Sequence, residues 1–370
     1  MVYCSVDTNV TYLKIIPLYS RVKIYIFPSM SDFHLLIADW YRLTKRELPW
    51  RETTDPYSIW LSEVILQQTR VDQGISYYYR FKDVFPTVHQ LAKADLQTVL
   101  NLWQGLGYYS RARNLHQTAK LISNEHNGIF PDSYDELIKL KGIGPYTAAA
   151  IASFAFNENV PVVDGNVFRV LSRFFDVDTP INSSTGIKLF KSLAEGVINP
   201  KDPALHNQAI MEFGALHCTP KNPKCDTCVL QAACLSFSNS TIQNRPLKTK
   251  KQKVRNRFFH YLIFNLQGMT YIEQRKKRDI WEELYQFPLI ETESDKIHEE
   301  LKGAYGDSIY KISSPVKHLL SHQRIITRFY HINDVRNGHN PEDWILIDSK
   351  AIQDFPIPRL LDKYLESNDI

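Results

Sequence analysis

Four of the five cysteines crowd into one window, at Cys218, Cys225, Cys228 and Cys234, in the pattern C-x6-C-x2-C-x5-C. Thiolates this close repel one another unless a multivalent cation sits among them. Structural zinc and a 4Fe–4S cluster both meet that need. Zinc ribbons usually pair two CxxC motifs roughly a dozen or more residues apart. Only one CxxC occurs here, so the spacing favours the cluster and leaves zinc as the alternative. Clustering in a large chain also reads as a metal site in a reducing compartment, not a disulfide framework.

Two carboxylates come next. Glu63 lies in Trp60-Leu61-Ser62-Glu63-Val64-Ile65, at the margin of an apolar helical stripe. Burial there raises a carboxyl pKa and suits it to general-acid work. The plainer reading is a solvated face or a salt bridge. Asp164, in Val163-Asp164-Gly165-Asn166, opens a helix, where Asp is also an ordinary N-cap. Glu63, Tyr146 and Asp164 arise on different elements that can converge on one cleft.

Two glycine motifs point to a polyanion. Leu140-Lys141-Gly142-Ile143-Gly144 lies between two helices and reads as a helix–hairpin–helix. There Gly142 and Gly144 allow the turn and let backbone N–H groups approach a phosphate beside the next helix's N-terminus. A helical hairpin with glycine caps is the alternative. Gly105 to Arg113 mixes glycine, tyrosine and arginine. It reads as a loop that wedges a side chain into stacked bases while Arg111 or Arg113 meets phosphates. Against that stands a glycine turn with core tyrosines and a basic helix.

The elements that must position these residues follow from the whole chain. It has 370 residues, 44% apolar and 23% charged, with net charge +4. That is a globular composition with room for two or three domains and no bar to a nucleic-acid partner. No apolar run approaches the roughly 18 residues of a membrane span, so an integral membrane protein is not expected. Residues 1–30 read as an extension, disordered or a mis-called start before Met30, and Ser31 and Asp32 as caps for a helix over 33–43. Residues 31–244 form a helical region ending in the cysteine loop. The stretch 245–257 (RPLKTKKQKVRNR) is all positive in charge and reads as a basic linker. Residues 258–370 change texture to α+β. There Phe258–Leu266 and Met269–Glu273 are expected to form a hairpin about Gln267-Gly268. Further strands are expected at 310–312, 325–332 and 344–347, with a final helix over 358–365.

Taken together, these segments resemble the MutY-type adenine DNA glycosylases of the helix–hairpin–helix superfamily. The likeness rests on Leu48-Pro49-Trp50-Arg51, the helix from Trp60 to Thr69, the Gly105–His116 block, Leu140–Ile151, Val163–Val167 and the four cysteines, in this order. It implies a mainly α glycosylase region followed by a Nudix-like α+β domain, and one 4Fe–4S cluster on the cysteines. The activity implied is monofunctional excision of adenine mispaired with 8-oxoguanine or guanine in double-stranded DNA, by a cytoplasmic, nucleoid-associated monomer. By that likeness Glu63 protonates adenine N7 and then assists water. Asp164 stabilises the oxocarbenium-like sugar, and Tyr146 supports the site. Arg46, Arg51 and Glu212 fall where the family contacts the flipped adenine. Gln68, Thr69, Leu106 and Tyr108 fall on the 8-oxoguanine side, with Tyr108 as the wedge. Ser321 and His322 carry the polar part of 8-oxoguanine recognition.

Three other readings compete. Endonuclease III-type relatives carry a lyase lysine where this chain has Tyr146, and Phe168 supplies no amine either, so strand cleavage is not expected. A non-catalytic Fe–S DNA-binding module leaves the Glu63 and Asp164 pair without a purpose. A Nudix hydrolase would need a glutamate-rich helix that this sequence lacks.

Overall fold

The computed structural model describes residues 30–249, 254–276, 278–294, 298–334 and 343–368. The expected extension before residue 30 and Lys250, Lys251 and Lys253 of the basic stretch lie outside them. Among the described residues eleven α-helices precede the cysteine loop: α1 (Met30–Thr44), α2 (Pro56–Leu66), α3 (Val71–Val84), α4 (Val88–Lys93), α5 (Leu96–Trp103), α6 (Ser110–Glu125), α7 (Tyr134–Leu137), α8 (Pro145–Phe156), α9 (Gly165–Phe174), α10 (Ser184–Val197) and α11 (Pro203–Leu216). The short α12 (Leu235–Ser238) follows the last cysteine. Since α1 begins at Met30, Ser31 and Asp32 fall inside its first turn, not ahead of it.

The starts of the site-bearing helices are written in the chain. Asp55 caps α2 by accepting from the backbone N–H groups of Tyr57 and Ser58, with Pro56 at the first helical position. Every residue of α2 from Tyr57 to Ile65 is buried. A helix apolar on all sides belongs in an interior, and that placement is what carries Glu63 out of water. Helix α8 is similar, buried from Thr147 to Ser153.

The helical region holds two main cores. One is built on α2 to α8 around Trp60, Phe81, Trp103 and Ile151. The other joins α1, α9, α10 and α11 around Ile37, Leu171, Phe190 and Phe213, with Cys218, Cys228 and Cys234 packed on its edge. The chain passes between them twice, before α2 and before α9, and the cleft described below lies at this seam.

The C-terminal body contains β1 (Arg255–Phe264), β2 (Met269–Gln274), β3 (Tyr285–Gln286), β4 (Leu289–Thr292), α13 (His298–Tyr305), β5 (Ile309–Ile312), β6 (Val316–Leu319), β7 (Gln323–Ile332), β8 (Trp344–Asp348) and α14 (Arg359–Glu366). One mixed sheet runs β4-β1-β7-β5, with β6 also on β7, and a smaller sheet runs β3-β2-β8. The expected hairpin is only a turn. Gln267 and Gly268 take positive φ, and one bridge joins Leu266 to Met269. Beyond it the strands part: β1 pairs in parallel with β7 from Arg255↔Gln323 to Phe264↔Ile332, while β2 pairs with β3 and β8.

The C-terminal body is docked on the helical one. Leu284 is fully buried in the α2–α8 core, with Trp281 beside it. Arg113 donates to the Glu282 backbone oxygen at 2.7 Å and to its carboxylate at 2.8 Å. The Tyr109 hydroxyl donates to the Ile357 carbonyl. Among the described residues no helix is long and apolar enough to cross a membrane.

Candidate active site

A cleft of about 820 Å³ opens between the two helical cores, a size ordinary for a small-molecule site. Glu63 reaches it from α2, Tyr146 from the first turn of α8, and Asp164 from the residue that caps α9. Arg46 and Arg51 enter from the segment joining α1 to α2, and Glu212 from α11. Gln68 and Thr69 line it just beyond α2. Gln68 holds φ at 56°, an uncommon backbone state for a residue with a side chain.

Glu63 is 6% exposed. The Tyr146 hydroxyl donates to its Oε2 at 2.7 Å. Burial pushes its pKa up to about 7; the nearby Asp164 charge adds to this, while the Tyr146 hydrogen bond and Arg51 oppose it. Because Oε2 accepts from Tyr146, a proton on Glu63 belongs on Oε1.

Asp164 is at once the N-cap of α9 and a wall of the cleft. Its Oδ1 accepts from the backbone N–H groups of Asn166 at 2.8 Å and Val167 at 2.7 Å, and its Oδ2 from the Asn166 amide at 2.7 Å. Burial raises its pKa, and these three donors and Arg169 pull the other way. Donors of this kind at a helix N-terminus favour the ionised form.

Glu212 is buried as deeply but differently held. Arg46 meets both its oxygens, at 2.9 and 2.7 Å, and Arg51 adds a third contact at 2.8 Å. Burial alone would raise its pKa; the hydrogen bonds from Arg46 and Arg51 overturn that and hold it at about 2. No lysine is among the described residues lining the cleft. Phe168 lines it instead, its ring edge-on to Phe190 at 5.3 Å.

Apart from the cysteines, the remaining candidate residues stand outside the cleft in two places. Gly142 and Gly144 lie in the turn between α7 and α8 and are both exposed. Gly142 has φ +87°, and a Cβ there would stand 2.9 Å from the Asn114 side chain, so only glycine fits. Gly144 has an ordinary φ of −88°, and a Cβ there would meet nothing within 4 Å. Nothing in the chain itself requires its smallness.

The second place is the Gly105–Tyr109 loop. Leu106 packs into the first core, so the loop presents Tyr108 outward, 46% exposed and with φ at 50°. Its hydroxyl is hydrogen-bonded to Ser321. Ser321 and His322 are exposed in the turn from β6 to β7, which is closed by Leu320 N–H to Gln323 O at 2.9 Å.

Two expected phosphate ligands are otherwise engaged. Arg111 is 9% exposed and spends its guanidinium on main-chain carbonyls of Val64, Ile65, Gln67 and Gly107. Arg113 pairs with Glu282. The sequence carries the signal for Arg111: it falls four residues before Leu115 and eleven before Ile122, on the buried stripe of α6.

All four cysteine thiols line one cavity, walled also by Val170, Phe174, Phe213 and Leu230. Burial pushes Cys228 up to about 12, with the three other thiols adding to it. Cys225 and Cys234 are raised by burial first and by their neighbours next. Arg173 donates to the Cys218 sulfur at 3.4 Å. Among the described residues no three His, Cys, Asp or Glu groups are gathered as ligands to one ion; what the cysteines share is a cavity wall. Three thiols whose ionisation burial and their neighbours disfavour, gathered in one cavity with Cys218, fit a group carrying several positive charges.

Residues 61–195 match the HhH-GPD superfamily of base excision DNA repair proteins, and residues 260–367 match a NUDIX domain. The chain is 39% identical over 227 residues to the human adenine DNA glycosylase, covering 56% of this chain and 42% of that one. A solved thermostable thymine-DNA glycosylase shares the fold with TM-score 0.53 and 27% identity, over 57% of this chain and 97% of its own. The adenine DNA glycosylase of Buchnera aphidicola from Baizongia pistaciae is 37% identical over 322 residues, 86% of this chain and 88% of the relative. The thymine-DNA glycosylase accompanies little more than half of the chain, whereas the Buchnera relative runs beside 86% of it, too much for either body alone; on that length of agreement, this chain belongs to the adenine DNA glycosylase family.

Proposed function

We propose that this chain is a monofunctional glycosylase that extrudes adenine mispaired with 8-oxoguanine, or with guanine, from double-stranded DNA and hydrolyses its N-glycosidic bond. The observation that carries the reading is the pair of unlike carboxyls in one cleft. Glu63 is poised near neutrality, with the Tyr146 hydroxyl as its side-chain donor among the described residues, and Asp164 is tied to three N–H donors at a helix N-terminus.

Adenine leaves poorly as an anion, so an acid must protonate it, and the Oε1 proton of Glu63 is free of Tyr146 and can be given to N7. Departure of the base leaves positive charge on the sugar. Ionised Asp164 stands ready to stabilise that charge, and its donors cost no reorganisation because they are already in place. Glu63, now ionised, then takes a proton from attacking water. Two carboxyls held in such unlike surroundings perform both halves. With Phe168 and Tyr146 in the cleft and no lysine on its described wall, no amine is at hand to form a Schiff base with the sugar. The product is an intact abasic strand.

Arg46, Arg51 and Glu212 form the wall on which the extruded base is received. Tyr108 wedges the duplex, beside Ser321 and His322, which read the base opposite. Gly142 and Gly144 bring backbone N–H groups to a phosphate, and the empty space around Gly144 supports an approach by something outside the chain. Cys218, Cys225, Cys228 and Cys234 would hold a 4Fe–4S cluster, which offsets the thiolate charge and fixes the loop. The enzyme acts as a cytoplasmic, nucleoid-associated monomer, and the domains divide within the basic stretch 245–257, before β1 opens at Arg255.

The test is a single-turnover excision assay on one duplex with adenine opposite 8-oxoguanine. Adenine opposite thymine and oxidised thymine opposite adenine serve as controls. Cleavage of the strand should appear only after alkali. Excision of oxidised thymine, or nicking without alkali at the rate of base loss, overturns the reading. Anaerobically purified protein should contain about four irons per chain; stoichiometric zinc overturns the cluster.

A further inference from the structure

Arg111 is a cation placed where electrostatics disfavour it. It lies in the first turn of α6, where the helix dipole repels positive charge. It is 9% exposed, and no carboxylate contacts it among the described residues. Burial lowers its pKa to about 10, which still leaves it charged. What holds it is a set of carbonyls from two separate segments.

One segment is the C-terminal end of α2. Nη1 donates to Val64 O at 2.8 Å, Ile65 O at 2.9 Å and Gln67 O at 2.6 Å. These belong to the last turn, whose carbonyls have no partners within the helix. The other segment is the loop that presents Tyr108. Nη2 donates to Gly107 O at 3.1 Å, and the same oxygen accepts from the Trp103 indole at 3.0 Å. The guanidinium lies 4.9 Å from the Trp103 ring and 5.8 Å from the Tyr108 ring. Helix α2 carries Glu63, and its continuation, Gln67 to Thr69, lines the cleft.

We infer that Arg111 is a positioning residue that ties the Tyr108 loop to the end of the helix carrying Glu63, so that the side chain that displaces a base and the pocket that receives it move as one rigid piece. This rests on the excision reading above. A planar fork of donors can bridge two sets of carbonyls; a lysine ammonium, with three donors at one point, cannot span both. Arg111→Lys keeps the charge and loses the bridge.

The experiment is a double-substitution cycle in the full-length holoenzyme, comparing wild type, Arg111→Lys, Tyr108→Ala and the pair. Single-turnover excision from the adenine:8-oxoguanine duplex should slow by roughly a hundredfold in Arg111→Lys, the size expected for a displacement of about 1 Å. The double variant should be no slower than the slower single one, since both changes remove the same coupled action. The pH at which the rate falls, set by Glu63, should not move. Multiplicative losses in the double variant overturn the proposal, as does a shifted pH profile, since either means that Arg111 acts on the pocket independently of Tyr108. Arg111→Met, which keeps the stem, guards against misfolding: it should match the lysine variant in excision, and unchanged excision with an intact melting transition overturns the proposal. Fluorescence of 2-aminopurine placed beside the adenine reports extrusion without chemistry. If wild type unstacks the base and never excises it, the excision reading fails while the Arg111 test still proceeds: a slower fluorescence rise in the variant supports it, and an unchanged rise overturns it.

Discussion

On the α2 side of the cleft, Glu63 has a single side-chain donor among the described residues, the Tyr146 hydroxyl, and burial carries its pKa to about 7. On the α11 side, Glu212 is no more exposed, yet two arginines grip both oxygens and hold it at about 2. Burial is the largest influence on each, and the outcomes differ by what comes with it. A carboxylate with bidentate guanidinium partners is a structural anion. One buried against a lone hydroxyl keeps a proton that it can give away. The seam between the two cores thus has a fixed half and a titrating half.

The largest expected effect falls on the titrating half. Glu63→Gln cannot donate an acidic proton, and loss of a positioned acid costs ~10² to 10⁴ in rate. Asp164→Asn should lose a similar amount by removing charge beside the developing cation, although Asn caps a helix as well as Asp does. Single-turnover excision at saturating enzyme is the measurement. Either variant within about tenfold of wild type breaks the assignment of Glu63 to chemistry or of Asp164 to more than capping.

The fixed half should show itself in stability. Glu212→Gln leaves Arg46 and Arg51 short of their counter-ion. A fully buried pair broken this way costs about 3–5 kcal/mol, and Arg46, about a third exposed, brings the figure toward 3 kcal/mol or below. Its sign with pH is set by a folded pKa lowered to about 2. The contribution is complete above the unfolded value near 4.5 and disappears as pH falls from there toward 2. Denaturant unfolding of wild type and variant should therefore differ at pH 7 and converge on acidification. A difference that persists at the acid end means that Glu212 acts by packing alone.

Glu63 predicts the opposite sign. Its pKa is raised on folding, so both states are protonated below about 4.5. Between there and about 7 the unfolded chain releases a proton that the folded one keeps, and stability declines until both are ionised. Above pH 7 the penalty is at most about 3 kcal/mol, since each pH unit between the unfolded and folded values is worth about 1.4 kcal/mol. Glu63→Gln escapes it. The slow variant should be the more stable one at pH 8 and equal to wild type near pH 4. Lower stability than wild type at pH 8 removes the buried-acid account.

Much of this contrast is legible in the chain, and the reasons for the exceptions are physical. Glu63 sits within an apolar run opened by Asp55-Pro56, so local pattern predicts its helix, while at the margin of the stripe a buried carboxyl and a solvated one read alike. Asp164 precedes Gly165-Asn166, and capping chemistry places it at a helix start. The convergence of both on one cleft depends on how α2 and α9 pack, which no window of sequence contains. Arg111 reads as facing phosphate because basic residues after glycine and tyrosine suit a DNA-facing loop, yet its spacing to Leu115 and Ile122 puts it inside. The Gln267-Gly268 turn is visible in composition, but β1 finds its parallel partner β7 more than fifty residues away, and non-local pairing leaves no local mark. Val316 to Leu319, the strand leading to Ser321, alternates over too few residues to stand out.

The smallest effect is the finest probe of the contrast, because it alters Glu63's surroundings without removing the carboxyl. Tyr146→Phe deletes the hydrogen bond that Glu63 accepts from the Tyr146 hydroxyl. That bond favours the ionised form and lowers the Glu63 pKa against the upward push of burial. Without it the pKa rises further. Excision that needs the protonated acid falls tenfold per pH unit above that pKa, so in wild type the rate should decline above about pH 7, and in Tyr146→Phe the decline should begin at higher pH. At pH 6, where Glu63 is protonated in both, the variant should lose only what Tyr146 contributes by orienting Oε1 toward the base. A fall that begins at the same pH in both proteins means that the limb belongs to another group. A fall that moves to lower pH means that burial is not what holds the proton on Glu63, and the two halves of the cleft would then differ in strength of pairing and not in kind.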